Sequence, residues 1–347
     1  MQKRRSATRP ARLLAAAGLA LLATIALAAP LRAADTDYKG WFVALDLAQT
    51  QPGSLDSHYA NNFVVNGTDT VNKRLVMNTD SDMTWRLAVG YGFGKERGSL
   101  KVSYWSFDND QTEIKNGLLG SVYPTVFGYS NSGSSYIGYG NNTTYPITAQ
   151  ATTKVKARAT DIDYVRPIAV GERTTIKWLA GLRVASFEET ERFDGVIDYN
   201  GAYGAGLQTY SQAKHFKSDA VGPRFGVAAV FGFTRHFSMQ GSAAFSFLQA
   251  DTKGESLAID NSGATDANSV KDDHLRGEIR DYDLRAVWNY GHLDYYLGYS
   301  ASEWSGLVTD PLPAADCCTS GSGGSIRDNI AFNSLHGGVV WRFGPTK

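Results

Sequence analysis

Long apolar runs and enzyme motifs are scarce in this sequence of 347 residues. After residue 33 no stretch approaches the roughly 18 consecutive apolar residues that mark a membrane-spanning helix, so we predict none. The sequence has no Gly-x-Ser-x-Gly nucleophile elbow, and its Gly-rich run 90–95 lacks the spacing and the Ser or Thr of a phosphate-binding loop. We therefore expect a protein that is not an enzyme and needs no cofactor.

Cysteines are also few, since the chain has only the adjacent pair Cys317 and Cys318. A disulfide between neighbouring residues is strained by its geometry, and a metal site would need further ligands nearby. Free thiols and a vicinal disulfide are therefore both left open.

The first 33 residues differ in composition from the rest of the chain. Five basic residues come first, an Ala- and Leu-rich core from Leu13 to Ala29 follows, and Leu31-Arg32-Ala33 forms a cleavage motif. This order predicts a secretory signal peptide over 1–33 rather than a transmembrane anchor, because Pro30 interrupts the apolar core. Its removal leaves 28 basic and 34 acidic residues on 34–347, a net charge of −6 that argues against a nucleic-acid binder.

Ten segments of the remaining chain alternate large apolar residues with small or polar ones. In one of them apolar residues occupy the odd positions 85–93, whereas Arg86 and small residues occupy the even ones. Such alternation predicts strands that are apolar on one face. Because backbone groups in a bilayer need partners, a chain without membrane-spanning helices crosses only as a closed barrel. The predicted strands are 41–48, 85–93, 100–104, 161–164, 176–184, 224–233, 237–247, 282–290, 293–300 and 335–343.

Short and long connections alternate between these strands. The short ones are 94–98, 170–173, 234–236 and 291–292, and the long ones are 51–83, 109–151, 188–217, 252–275 and 303–330. Short periplasmic turns and long extracellular loops are typical of outer-membrane barrels, and aromatic residues at the strand ends indicate the membrane interface. We predict an all-β, transmembrane, antiparallel up-and-down barrel of about ten strands over 34–347. Twelve strands are possible, because a long connection has room for another hairpin.

Four stretches between residues 160 and 250 resemble one known family. They are Asp161-Ile162-Asp163-Tyr164, the run Trp178–Ala185, the run Val221–Val227 and the run Gly241–Ser246. The Gly-Leu-Arg and Gly-Pro-Arg blocks, in this order, are the most specific part. The chain is similar to the pore-forming, Legionella-type major outer-membrane proteins, and this resemblance implies an outer-membrane barrel with a porin-like role.

Charged residues on the predicted inward face are the candidate functional residues. The face has six aspartates and seven Arg or Lys, so its charges nearly balance. A strongly selective pore would have a ring of charges of one sign, whereas near balance favours ion pairs across the lumen. A water-filled conduit and a salt-bridged plug are both consistent with this set, because ten strands make a narrow barrel. On the same face Gly181, Gly226 and Gly298 either make room for large side chains or bend the strands. The predicted pore-lining residues are Asp46, Arg86, Lys101, Asp161, Asp163, Lys177, Arg183, Arg224, Asp281, Asp283, Arg285, Asp294 and Arg342.

One acid–histidine group, Asp272-Asp273-His274, lies where a long loop meets a predicted strand. At the outer rim of a barrel, such residues are able to activate water for an outer-membrane hydrolase. A polar loop edge explains them equally well, so hydrolysis stays a minor alternative.

The resulting hypothesis is an outer-membrane porin-like protein that passes small hydrophilic solutes through its lumen. Its expected partners are outer-membrane lipid, lipopolysaccharide, the barrel-assembly machinery and those solutes, without nucleic acid. The alternative is a closed structural or adhesive barrel whose long extracellular loops bind surfaces. Solute and oligomeric state are left open by the sequence.

Overall fold

The structure, a computed structural model, consists of β-strands and the turns between them. Among its described residues no helix is long and apolar enough to cross a membrane. The predicted signal peptide 1–33 and the pair Cys317 and Cys318 lie outside the described residues. The residues described are 38–53, 57–66, 69–77, 80–94, 97–118, 121–124, 147–171, 173–198, 207–259, 265–311 and 325–344.

Ten of the thirteen described strands close into an antiparallel barrel, in the order β1-β13-β12-β11-β10-β9-β8-β7-β5-β4. The first and last of them meet along a seam that runs from the pair Trp41 and Phe343 to the pair Gly53 and Ala331. The predicted ten-stranded barrel is therefore confirmed. The strands are β1 Lys39–Gly53, β2 Ser57–Asn66, β3 Asp69–Met77, β4 Asp82–Phe93, β5 Ser99–Leu118, β6 Ser121–Pro124, β7 Ile147–Val170, β8 Thr174–Asp198, β9 Leu207–Gly232, β10 Phe237–Ile259, β11 Thr265–Tyr290, β12 Leu293–Pro311 and β13 Ser325–Phe343.

The three other strands form a separate sheet in the order β3-β2-β6. They come from the connections 51–83 and 109–151, which the alternation predicted as loops. The extra strands considered in those connections therefore exist, but they pair with each other instead of widening the barrel to twelve strands.

The barrel strands are much longer than the sequence predicts. Strands β8 and β9 have 25 and 26 residues, whereas crossing a bilayer takes about 9–11. The predicted long loops 188–217 and 252–275 are wrong, because only 199–206 and 260–264 separate the strands there. Beyond the membrane belt the outward face becomes polar, so the hydrophobic alternation stops although the backbone pairing continues. The molecule thus stands well out of the bilayer at the end opposite its short turns.

The two faces of the barrel have opposite chemistry, as the alternation predicts. Leu45, Val227 and Leu284 point outward and are 44%, 56% and 39% exposed. Their inward counterparts are buried, with Asp46 at 5% and Arg224 at 7%. An apolar exterior around a polar interior is the arrangement of a barrel that faces lipid.

Four tight turns, at 94–98, 171–173, 233–236 and 291–292, define what we name the short-turn end. Aromatic rings border it on the outside: Phe233 lies 4.8 Å from Phe231 and 5.5 Å from Phe237 between ring centroids, and Phe237 lies 5.3 Å from Trp288. Such rings are typical of the membrane–water interface. This girdle marks one edge of the lipid-facing belt.

We expect Leu284→Arg and Val227→Arg to destabilise the barrel by about 2–4 kcal/mol each, because both place a charge on the lipid face near the bilayer centre. Urea titrations of the protein refolded in lipid vesicles measure the change. Glu255→Arg is the matched control: it is outward and exposed on β10 beyond the belt, and should change stability by no more than about 0.5 kcal/mol. Equal losses at all three positions would contradict the assignment of the faces.

Candidate functional site: the barrel lumen

The predicted pore-lining residues lie on the inward face at the short-turn half of the barrel. Eleven of the thirteen line a cavity of about 380 Å³ there. The other two are buried behind it, where Asp163 pairs with Arg224 and Asp46 pairs with His336. The structure thus brings the predicted residues together around one cavity.

Two arginines hold three aspartates in a buried network. The Arg183 side chain, on β8, donates two hydrogen bonds to Asp161 at 2.6 and 2.8 Å and lies 2.8 Å from Asp281. Arg224, on β9, donates to Asp163 at 2.7 Å and to Asp281 at 2.9 Å. Paired, hydrogen-bonded charges of this kind are the form in which ionic groups are tolerated in an interior. The network ties strands β7, β8, β9 and β11 together across the lumen.

A second network contains a histidine that the predicted set omits. His336 Nδ1 lies 3.1 Å from Asp46 Oδ2, and its Nε2 lies 3.3 Å from Asp283 Oδ2. Asp283 also accepts two hydrogen bonds from Arg285, at 2.7 and 2.8 Å. Of the two roles left open for Gly298, the structure shows that it makes room, since a Cβ on it would come within 2.7 Å of His336 Nε2. The alternation along β13 already places His336 on the inward face. A search of that face for charged residues would have found it if histidine had been counted among them.

The remaining lumenal cations differ in how they are paired. Arg342 donates to Asp294 at 2.8 Å, and Lys101 lies 3.6 Å from Asp163. Arg86 and Lys177 line the cavity and make no ion pair or hydrogen bond with the side chains that the structure describes. The lumen therefore contains cations in direct ion pairs and two cations that contact no described carboxylate.

An apolar layer crosses the lumen above the charged residues, on the side away from the short turns. Phe107 and Phe332 meet across the barrel with ring centroids 5.2 Å apart, and Trp304 lies 5.7 Å from Phe332. Each of the ten barrel strands contributes, in this layer or next to it, an inward residue that is at most 2% exposed, and four of the ten are Ser or Thr. These residues are Thr50, Thr84, Phe107, Val155, Phe187, Ser218, Ser246, Ile279, Trp304 and Phe332.

The apolar layer is joined to the charged network by hydrogen bonds. Trp304 Nε1 donates to Ser302 Oγ at 2.9 Å, and Ser302 donates in turn to Asp281 at 2.7 Å. A pocket of only about 30 Å³ remains between Trp304 and Arg86. Ion pairs and aromatic packing thus form one continuous filling of the middle of the barrel.

The acid–histidine group lies elsewhere and is not assembled into a site by the described side chains. His274 is exposed at an irregularity between Ala250 and Asp251 in the pairing of β10 with β11. It lies within strand β11 rather than at a loop edge, because the strand extends further than the sequence predicts. Among the placed side chains it has no ion pair.

Several solved structures align with this chain over most of its length at low sequence identity. The outer membrane protease OmpT from Escherichia coli is 11% identical, with 88% of this chain and 97% of that chain covered and a TM-score of 0.46. A major outer membrane protein from Thermus thermophilus is 12% identical, covering 87% and 99%, with a TM-score of 0.28. A FadL homologue from Pseudomonas aeruginosa is 9% identical, covering 89% and 91%, with a TM-score of 0.25. These similarities transfer no activity to this chain.

Among curated proteins no relative matches. A family model does match, and its description is Legionella pneumophila major outer membrane protein precursor. It covers residues 37–279, which include the charged networks of β7, β8 and β9 and most of the lumenal cavity. Because this match spans well over half of the chain, the protein belongs to the family of the Legionella pneumophila major outer membrane protein precursor.

Proposed function

We propose that this outer-membrane barrel is closed to solutes in its resting state and acts through the part that projects from the cell surface. The observation that carries the proposal is the layer of ten buried inward residues, one from each barrel strand. A conduit needs water-lined space along its whole length, and at this layer the space is occupied by packed side chains. The closed barrel with surface-binding loops is therefore favoured over a permanently open porin.

The length of the strands supports the surface role. Strands β8 to β11 have 23 to 26 residues, so more than half of each lies beyond the lipid belt if about 9–11 residues cross it. The separate sheet β3-β2-β6 is built from connections at the same end. With the short turns in the periplasm, this projecting part faces the outside of the cell.

Porin-like passage of small hydrophilic solutes is the second candidate. The charged cavity of about 380 Å³ favours it, because this space is polar and reaches from the short-turn end to the apolar layer. Passage would require Trp304 and Phe332 to move aside. In this second candidate the protein is a gated channel, and neither candidate involves a reaction or a cofactor.

Planar lipid bilayers distinguish the two candidates. We expect the refolded mature protein to give no stable conductance steps, whereas the double variant Trp304→Ala with Phe332→Ala should conduct, because it empties the centre of the apolar layer. Trp341→Ala, which removes an outward ring that is 54% exposed, is the matched control and should stay silent. Stable steps from the unmodified protein would overturn the closed barrel in favour of the porin.

The biogenesis that we propose follows from the outer-membrane assignment. The segment 1–33 directs export and is removed, and the barrel-assembly machinery then inserts the mature chain into lipid and lipopolysaccharide.

The surface role is tested by measuring how well cells that express the protein attach to a surface. Cells that express a chain lacking β2 and β3 are the comparison.

A further inference from the structure

We infer that the cavity at the short-turn end is a binding site for small anions that carry carboxylate or phosphate groups and enter from the periplasmic side. The inference goes beyond the proposed surface function, because it concerns the opposite end of the barrel. It rests on how charge is distributed between the wall of the cavity and the protein behind it.

The wall of the cavity carries more basic than acidic residues, because seven Arg or Lys line it against four aspartates. The side chains of Asp163, Asp294 and Asp46 are 0%, 4% and 7% exposed, and their partners are Arg224, Arg342 and His336. By contrast the Lys101 side chain, the second partner of Asp163, is 32% exposed. Solute in the cavity therefore meets an excess of positive charge, although Asp281, whose side chain is 22% exposed, is also accessible.

Two lumenal cations make no direct ion pair with a described side chain. Arg86 and Lys177 are half-buried on β4 and β8, line the cavity and have no ion pair with the side chains that the structure describes. A cation in a partly desolvated cleft that no carboxylate contacts attracts anions more strongly than one on an open surface. Arg86 adds a planar set of donors that suits carboxylate and phosphate oxygens.

The entrance to the cavity is also basic. The described residues of the four short turns, which are 94, 97–98, 171, 173, 233–236 and 291–292, include Arg97, Arg173 and Arg235 and no Asp or Glu. A cleft and a rim of the same sign concentrate the oppositely charged solute at the mouth of the site. The rim and the wall thus favour the same class of ligand.

Charged thiol reagents measure the potential inside the cavity. Ser242 lines the cavity and is exposed to it, so a Ser242→Cys variant, made with Cys317 and Cys318 changed to Ser, places one thiol there. We expect the anionic reagent, sulfonatoethyl methanethiosulfonate, to label this thiol about ten times faster than its cationic trimethylammonium counterpart. Each labelling rate is first divided by the rate of the same reagent with Thr112→Cys. Thr112 is an exposed residue on the projecting part of β5.

The responsible charges are tested in the same assay. Lys177→Gln, alone and together with Arg86→Gln, should bring the ratio of the two rates close to that of the Thr112 control. Inorganic phosphate should slow labelling of Ser242→Cys relative to sodium chloride of equal ionic strength, and this protection should be lost in the double variant. Migration on gels before and after boiling confirms that each variant is folded.

A labelling ratio equal to that of the control, a preference for the cationic reagent, or phosphate protection that survives both substitutions would each overturn the anion site. These outcomes are separate from the bilayer experiment, because labelling requires no current through the barrel.

Discussion

Replacement of Arg224 by alanine is expected to destabilise the barrel by about 3–5 kcal/mol, the usual cost of removing one partner from a buried ionic network. Arg224 is the cation shared by Asp163 and Asp281, at 2.7 and 2.9 Å, and it also lies 3.3 Å from Asp161. Without it Asp163, whose side chain is completely buried, keeps only Lys101 at 3.6 Å. The loss comes from leaving buried carboxylates under-compensated rather than from the strength of one contact.

The experiment compares two arginines of unlike burial. Urea-induced unfolding of the vesicle-reconstituted barrel, followed by circular dichroism, gives the free energy of unfolding for each variant. Arg192→Ala is the matched control, because Arg192 is 65% exposed and pairs with Asp194 at 2.8 Å on the projecting part of β8. An exposed pair of this kind contributes about 0–1 kcal/mol. If the two variants lose equal stability, the lumenal network does not hold the strands together.

Trp304→Ala is expected to cost about 3–5 kcal/mol, as large-to-small substitutions of buried aromatic residues do. Trp304 is 1% exposed and packs against Phe332 and Trp105. Its indole N–H also donates to Ser302, so the substitution removes a hydrogen bond together with the ring. Trp304→Phe should recover most of the packing and lose less.

The control for this variant is a tryptophan on the other side of the same barrel wall. Trp341→Ala removes an outward ring, and lipid chains fill the space that it leaves. We expect it to cost clearly less than Trp304→Ala in the same urea titration. A larger loss at Trp341 would mean that stability comes mainly from the lipid interface and that the lumenal layer is loosely packed.

The sequence predicted the barrel well wherever lipid touches it. Within the belt each strand must be apolar outside and polar or small inside, so parity alone assigned Asp161, Arg183 and Arg224 to one interior. The same parity placed Gly298 on the inward face, where the position of His336 explains why a glycine is needed. Contact with lipid therefore imposes a strong period-two pattern on the chain.

The pattern fails beyond the belt for a physical reason. There water covers the outside, and outward residues such as Lys217 and Lys253, which face each other across β9 and β10, are as polar as loop residues. Strand length was underestimated as a result. The apolar layer was missed for the same reason, because Phe187 and Trp304 lie beyond the ends of the predicted strands. Both residues point inward, since each is an even number of positions from an inward residue, Arg183 or Ser302.

Partner identity within the lumen was not predictable from parity. Alternation says that a side chain points inward, but the pairing of Arg183 with both Asp161 and Asp281 depends on the order of strands around the barrel and on their register. Near balance of charge suggested pairing in general. Only the folded arrangement shows that Arg86 and Lys177 make no direct ion pair with the described side chains.

The seam between β1 and β13 has a consequence for how the molecule is made. Thirteen residue pairs join these strands, which stand nearly 300 positions apart along the chain. Until β13 has been synthesised and exported, both margins of the growing sheet present unpaired amides and carbonyls, which invite pairing with other chains. Closure is thus a late event with an unusually large separation between its partners, and slow folding is the expected result. An export intermediate of this protein would need to be shielded until its final strand arrives.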